Sequence, residues 1–487
     1  MYLGLDLGTS ELKALLLDDG HRIVGMAHAA LSVSRPHPMW SEQSVAQWQH
    51  ALELVMLQLG DSYAAQLGQV RAIGLSGQMH GAVVLDERDE ALRPAILWND
   101  GRSASQCEAL ARAVPQMSQI TGNLAMPGFT APKLLWLKEH EPELFARIAR
   151  VLLPKDWLRL LLSGEAVSEM SDASGTLWLN VGRRDWSDEM LAASGLTRAQ
   201  MPRLVEGNAV SARLRPELAA RWGLRKEVLI AGGAGDNASS AMGMGLVDPG
   251  QGFVSLGTSG VIFVVSDRFQ TKPEKAVHAF CHALPDRWHQ MSVMLSAASA
   301  VSWAARSFGF ADEAALLRAA EQLDARRRAQ APVFLPYLSG ERSPHNNARA
   351  QGVLFGLTHE HGPQDIAYAV AEGVSFGLRD GLNTLQRPSG ALALVGGGSR
   401  SRWWAQLLAD ALNLPLFLAQ GGEAGGALGA ARLAWLADGG TLKQVCIPPL
   451  VRELFEPEPL RVAALAERYG KFQALYPALR PLFDRVA

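Results

Sequence analysis

A four-residue string, Leu-Gly-Thr-Ser, occurs near the start of the chain at Leu7–Ser10 and again in its second half at Leu256–Ser259. Short apolar runs flank each copy, Tyr2–Leu5 and Ala14–Leu17 around the first, Phe253–Leu256 and Val261–Val265 around the second. An apolar run, a Gly-Thr-Ser turn and a further apolar run predict a β-hairpin. The tip of such a hairpin exposes backbone N–H groups and hydroxyls whose dipoles converge on an anion, so each tip is a phosphate cradle. Only the first copy carries an acid, Asp6, where the second has Ser255. Two cradles with one carboxylate predict a nucleotide and its metal held between two related domains.

Length supports the division, because 487 residues exceed what one core accommodates. The Asp248-Pro249-Gly250 turn marks the boundary, giving domains 1–246 and 247–487. Apolar residues at 48% supply ample core, and charged residues at 19% argue against disorder. A net charge of −2 excludes nucleic acid and an anionic membrane surface as expected partners. No uninterrupted apolar run is long enough to span a bilayer, and Met1–Asp6 reads as a strand rather than a signal segment. Three scattered cysteines, Cys107, Cys281 and Cys446, indicate no disulfide framework. The expected setting is the cytoplasm.

Along the chain, the Asp19-Gly20 pair predicts a second hairpin turn. Trp48, Leu52, Val55, Met56 and Leu59 recur at helical spacing, with Ser44 and Gln47 as the expected capping box. Val70–Leu75, Val228–Ala231 and Ala391–Val395 read as buried strands, and Asp365–Leu382 as a helix. The Gly/Ala-rich stretch Gly421–Gly429 fits a close helix or turn contact, and beyond about Ala437 the chain reads as charged and helical.

Asp6 ends a buried strand beside the first cradle, where an unpaired carboxylate is costly and a Mg²⁺ ion relieves the cost. A turn-capping aspartate is the plain alternative; the repeat of the turn at Gly257-Thr258 favours function. Lys13 is placed to neutralise phosphate, or else is a solvated strand residue. Asp236 follows the strand Val228–Ala231 and the loop Gly232–Gly235, where small residues let substrate approach. A carboxylate there can take the proton of a hydroxyl as it attacks a γ-phosphoryl group. The same loop imitates a dinucleotide fingerprint, but an aspartate inside it would repel a pyrophosphate. Gly396–Ser399 after a strand would let a nucleoside pack on backbone, or would serve tight strand–helix packing. Gln78, His80, Trp98, Asn99, Asp100 and Arg102 offer the dense hydrogen bonding that a sugar or polyol requires. His278, Cys281 and His282 hint at zinc, but lie in a β-like run whose side chains alternate, with no second ligand pair. The Walker pattern is absent.

The ordered set of motifs resembles the carbohydrate kinase family named after its Phe-Gly-Gly-Tyr signature, the FGGY family, over Met1 to about Ala437. The resemblance rests on the phosphate motifs Leu5–Lys13 and Val254–Gly260 and the adenosine motif Val395–Asp410. It also rests on SGQMHGA (76–82), AILWNDGR (95–102), LLPKDWLRLLLSGE (152–165), SDASGTLWL (171–179) and LPYLSGERSPHNN (335–347). It implies an α/β fold of two actin-like, ribonuclease H-like ATPase domains with an interdomain cleft. The implied activity is transfer of the γ-phosphoryl group of ATP to the 5-hydroxyl of D-xylulose. Ribulose, gluconate or glycerol are the alternative acceptors, and an actin-like or chaperone-like ATPase is the alternative class. By the same resemblance Asp236 is the proton acceptor and Asp6 organises Mg²⁺, while Met79, His80, Asn237 and Asp100 touch the sugar. Gln78 and Asn99 extend the expected sugar lining. Thr9, Ser10, Lys13, Gly257, Thr258, Gly397, Gly398 and Ser399 form the expected nucleotide set. A homodimer is one candidate assembly.

Overall fold

The repeated turn is the visible trace of a repeated sheet. In a computed structural model, which describes residues 1–419 and 425–485, each Gly-Thr-Ser turn joins the first two strands of a seven-stranded sheet. The first unit contains β1 (Tyr2–Leu7), β2 (Glu11–Leu17), β3 (Ile23–Ala30), β4 (Ala72–Gly77), β5 (Val210–Arg213), β6 (Leu229–Ala231) and β7 (Ala234–Gly235). The second contains β8 (Gly252–Leu256), β9 (Gly260–Ser266), β10 (His278–Cys281), β11 (Trp288–Met294), β12 (Leu392–Val395), β13 (Leu416–Ala419) and β14 (Val451–Phe455). Their orders match: β5-β6-β4-β1-β2-β3, and β14-β13-β12-β8-β9-β11, with β7 beside β4 and β10 beyond β11. Directions match as well. Each hairpin is antiparallel, the next strand on its first arm is parallel, and the far edge strand is antiparallel again. No sheet strand crosses the boundary placed at 246/247.

The helices that bear on the site are α1 (Val45–Leu67), α2 (Pro154–Ser163), α3 (Asp236–Gly243), α4 (Ala298–Ser307), α5 (Pro363–Leu382), α6 (Arg402–Leu412), α7 (Gly425–Ala437) and α8 (Pro459–Phe483). Strand alternation decides which helix covers which face of β1. Leu3, Leu5 and Leu7 share one buried core with Trp48, Leu52 and Val55 of α1, the helical stripe read from the sequence. Tyr2, Gly4 and Asp6 face the other way. In register with them on β4 stand Ala72, Gly74 and Ser76. Gly4 and Gly74 leave no side chain there, so α7 lies directly on the strands: a Cβ at either would fall within 1.9 Å of the Ala427 or Ala430 carbonyl oxygen.

Two expectations need correction. The capping box at α1 is half made: Ser44 accepts from the Ala46 N–H, but the Gln47 amide oxygen accepts from Ser32 instead. The stretch after Ala437 is not only helical. It adds β14 to the second sheet, and α8 buries Leu465, Tyr469 and Phe472 in the second core, tied by Arg468 to Glu372 on α5 at 2.6 Å. One helix of the second half, α7, packs on β1 and β4 of the first. Of the Gly/Ala-rich stretch, 421–424 lie outside the described residues; Gly425–Gly429 open α7. Among the described residues no helix is long and apolar enough to cross a membrane.

Candidate active site

Both turns hold their shape through backbone bonds, Gly8 N–H to the Glu11 carbonyl and Gly257 N–H to the Ser259 carbonyl. At the second turn the start of α4 takes up the carbonyl side. Ala297 and Ala298 donate to the Thr258 and Gly257 oxygens at 3.0 Å, and Ser299 Oγ donates to Thr258 at 2.9 Å. The amides of Thr258 and Ser259 have no acceptor among the described residues. At the first turn the Thr9 hydroxyl donates to Gln78 Oε1 at 2.9 Å and accepts from Trp98 Nε1 at 3.0 Å. Its one proton is therefore committed. Gln43 braces the same turn, donating to the Thr9 carbonyl at 2.7 Å and accepting from Gln78 at 2.9 Å. Gln78 thus belongs to the architecture of the turn rather than to a sugar lining. Ser10 is exposed at the tip. Lys13, opposite Asp6 in register, is paired with Glu11 at 3.0 Å, so its charge is partly offset before any phosphate arrives.

A cavity of about 900 Å³ opens beside the second turn, lined by Gly257, Thr258, Gly397 and Gly398 together with Ser302, Glu313, Leu317 and Trp403. That size lies within the range of roughly 300–1,000 Å³ usual for small-molecule sites. Gly396, at φ +90, and Gly398 are also required by packing, because a Cβ at either would meet Leu256 at 2.6 or 2.8 Å. Both readings of this glycine run therefore apply. Ser399 does not line the cavity; its hydroxyl donates to the Gly396 carbonyl at 2.7 Å. Trp403 falls within the adenosine motif Val395–Asp410, whereas Ser302, Glu313 and Leu317 carry no motif and were not legible from sequence. Thr9, Asp6 and Asp236 lie outside this lining, on the first sheet's side of the molecule.

On that side the sheet delivers the carboxylates. Asp6 is in register with Ser76 on β4, whose hydroxyl donates to it at 2.8 Å, and Ser76 is in turn in register with Ala234 on β7. Asp236 follows β7 directly as the first residue of α3. Its Oδ1 accepts from the Asn237 backbone at 2.7 Å and side chain at 2.9 Å; its Oδ2 is not engaged by any described residue. Burial, reinforced by the negative charge of Asp6 and opposed by the Asn237 donors, pushes the Asp236 carboxyl up to about 6. Burial also raises Asp6, against the pull of Ser76 and Lys13. A Cβ at Gly426 would come within 2.4 Å of the Asp6 carboxylate, so glycine is what lets the start of α7 lie close against it.

Met79 packs on Gly235, the residue before Asp236. His80 takes the left-handed conformation at φ 68 and sets its Nδ1 2.7 Å from the Gly175 carbonyl. A carbonyl only accepts, so Nδ1 carries the proton. Burial lowers the ring's pKa to about 3, leaving it neutral with Nε2 as an acceptor. Asn99 is exposed, and Trp98 beside it is 47% exposed. Asp100 is a correction. Its Oδ2 accepts from the Ser41 N–H at 2.6 Å and Arg102 Nη2 at 2.8 Å, and its Oδ1 from the Arg102 backbone and Nε at 3.0 and 2.9 Å. All four acceptor positions are filled, which leaves none for a sugar hydroxyl. Among the described residues no group of three or more His, Cys, Asp or Glu side chains forms a metal cluster.

A duplicated strand–turn–strand sheet with paired phosphate turns, and a raised carboxylate at a strand end, define a two-domain nucleotide-dependent phosphotransferase. The chain belongs to the FGGY family of carbohydrate kinases: the family's N-terminal domain matches residues 1–243 and its C-terminal domain residues 252–437. It is 52% identical to the xylulose kinase of Escherichia coli over 99% of this chain and 100% of that one. A crystal structure of a "xyloylose kinase" from Brucella ovis superposes with a TM-score of 0.96 at 51% identity, covering 99% of each chain. The gluconate kinase of Lactobacillus acidophilus gives 0.90 at 26% identity, over 98% of this chain and 97% of that one.

If Asp236 acts as a base it must be ionised, so kcat/KM for the acceptor should fall about tenfold per pH unit below about 6 and level off above it. A pH–rate profile with no limb near that value would detach Asp236 from the chemistry.

Proposed function

We infer that this chain phosphorylates D-xylulose to D-xylulose 5-phosphate with ATP. The observation that carries the reading is the end-to-end likeness to the Escherichia coli xylulose kinase, which leaves no domain unmatched. The geometry supplies a mechanism for it. The sugar lies on the first domain, within 1–246, against Met79, His80 and Asn237. The neutral His80 ring accepts from a sugar hydroxyl, and Asp236 takes the proton of the 5-hydroxyl as its oxygen attacks the γ-phosphorus of ATP. Adenosine occupies the cavity of the second domain, within 247–487, with the Thr258 and Ser259 amides on phosphate. Thr9 and Ser10 reach the triphosphate from the other side when the domains close, and closure excludes water that would otherwise hydrolyse ATP.

A divalent cation suits Asp6, a buried carboxylate whose Oδ2 accepts no hydrogen bond among the described residues. Mg²⁺, held there partly through water, would offset phosphate charge.

The gluconate kinase likeness shows that this architecture serves more than one sugar acid or keto-sugar, so acceptor identity needs its own test. With D-xylulose, D-ribulose, gluconate and glycerol offered separately with Mg-ATP, rapid ADP release is expected with D-xylulose alone. Chelation by EDTA should abolish it and added Mg²⁺ restore it. Equal rates across the panel would overturn the assignment of the acceptor. ADP release independent of any sugar would favour a chaperone-like ATPase.

A further inference from the structure

The loop that carries Asp236 has no side chains with which to fix itself. Gly232–Gly235 is built of glycine and alanine, and Gly233 stands at φ +79. Backbone bonds alone fix it from within the sheet: the Gly232 and Gly233 N–H groups donate to the Ala209 and Gly207 carbonyls, and Ala234–Gly235 pairs with β4 as β7. A block of charged residues behind it, on α2 and at 169–172, adds a side-chain partner at each end.

At the entrance, Arg159 on α2 donates from Nη1 to the Ala231 carbonyl at 2.6 Å and from Nη2 to the Gly232 carbonyl at 2.5 Å. Its Nη1 also reaches Ser211 Oγ, on β5, at 2.5 Å. At the exit, the Gly235 N–H donates to Ser171 Oγ at 3.0 Å, one residue before Asp236. Ser171 is itself held by Glu169, which accepts from its hydroxyl at 2.9 Å and its N–H at 2.7 Å. Lys155 Nζ joins the block, 2.7 Å from Asp156, 3.3 Å from Asp172 and 3.6 Å from Glu169.

Stability alone does not account for this block. Lys155, Asp156, Arg159, Glu169 and Asp172 are all completely buried. Asp156 Oδ2 and both oxygens of Asp172 make no hydrogen bond among the described residues. Burying ionic groups so incompletely satisfied costs more than an apolar core of the same volume. What the block does provide is a fixed partner for each end of one glycine-rich loop.

We propose that Arg159 and Ser171 are positioning residues for Asp236, clamping the two ends of its loop so that the carboxylate meets the sugar hydroxyl in line. The proposal rests on Asp236 being the base, and its test keeps the two apart. Ser171→Ala removes the acceptor of the Gly235 N–H without creating a charge. Its kcat with xylulose should fall by about 10- to 100-fold, the scale of a misplaced catalytic group. KM for ATP, set in the other domain, should not change, nor should the melting temperature drop in proportion. Ser171→Thr keeps the hydroxyl and should restore most of the loss. Arg159→Lys keeps the charge but cannot span two carbonyls, so it should resemble Ser171→Ala. Asp236→Ala is measured alongside. An active Asp236→Ala overturns the base. An inactive Asp236→Ala with Ser171→Ala within about twofold of the parent leaves the base standing and overturns the clamp. A Ser171→Ala loss that merely tracks unfolding, or that Ser171→Thr fails to restore, overturns it too.

Discussion

Asp236→Ala is expected to cut turnover with saturating xylulose by at least about a hundredfold, the lower end of what a general base contributes. Nucleotide affinity should survive, because Gly257, Thr258, Gly397 and Gly398 line a cavity in which Asp236 takes no part. The substitution removes only a buried carboxylate, one whose own neighbour Asp6 disfavours its charge, so folding should be unharmed or slightly improved. Asparagine is the less informative replacement. Its amide oxygen would accept from Asn237 as Oδ1 does, and its NH₂ would then offer donors where the sugar hydroxyl must itself donate. Steady-state kinetics and ATP-analogue calorimetry on the same preparation read the two effects separately. A variant with undiminished kcat ends the base assignment; one with lost nucleotide binding shows that the residue serves the fold.

What could be read in the sequence was local. The two hairpins announced themselves because glycine, threonine and serine between apolar runs have few other uses, and both sheets grow outward from those turns. The α1 stripe was legible because its period is written in consecutive residues. Asp236 stood out for a similar reason, as an acid placed directly after a buried strand and a run of small residues. Asp100 misled because what saturates it includes the Ser41 N–H, fifty-nine positions away, and a turn that folds Arg102 back onto it. Gln78 misled likewise: its partners Thr9 and Gln43 come from different elements, and only the fold shows that they brace a turn. The charged block around Lys155 read as family signature without a role, since its object, the Gly232–Gly235 loop, lies far along the chain. Most distant of all was α7, a helix of the second half whose place on the first sheet no local pattern encodes.

That placement carries the second large expectation. Gly74→Ala should cripple the protein although it adds one methyl group. The new Cβ would sit 1.8 Å from the Ala430 carbonyl oxygen and 2.5 Å from its carbon, both backbone atoms of α7 that no rotamer change can move. Either β4 or the whole helix must withdraw by more than an ångström. Ala427, Ala431, Leu433, Ala434 and Trp435 are buried on the same helix, so withdrawal opens an apolar seam. Overpacking of this kind costs about 1–3 kcal/mol or more, a large part of a typical total of roughly 5–15 kcal/mol. A fall in melting temperature on the order of 10 °C, or failure to accumulate as folded protein, is the expected result. Activity should suffer beyond the loss of stability, because α7 begins over the Asp6 carboxylate and its Gly426 carbonyl accepts from Ser239 on α3, the helix headed by Asp236. Gly60→Ala is the control: it lies within α1 with nothing near its Cβ, so alanine there should be neutral or stabilising. If Gly74→Ala melts with the parent and turns over normally while Gly60→Ala does the same, α7 does not lie against β1 and β4 at backbone distance, and the link from that helix to both carboxylates is lost with it.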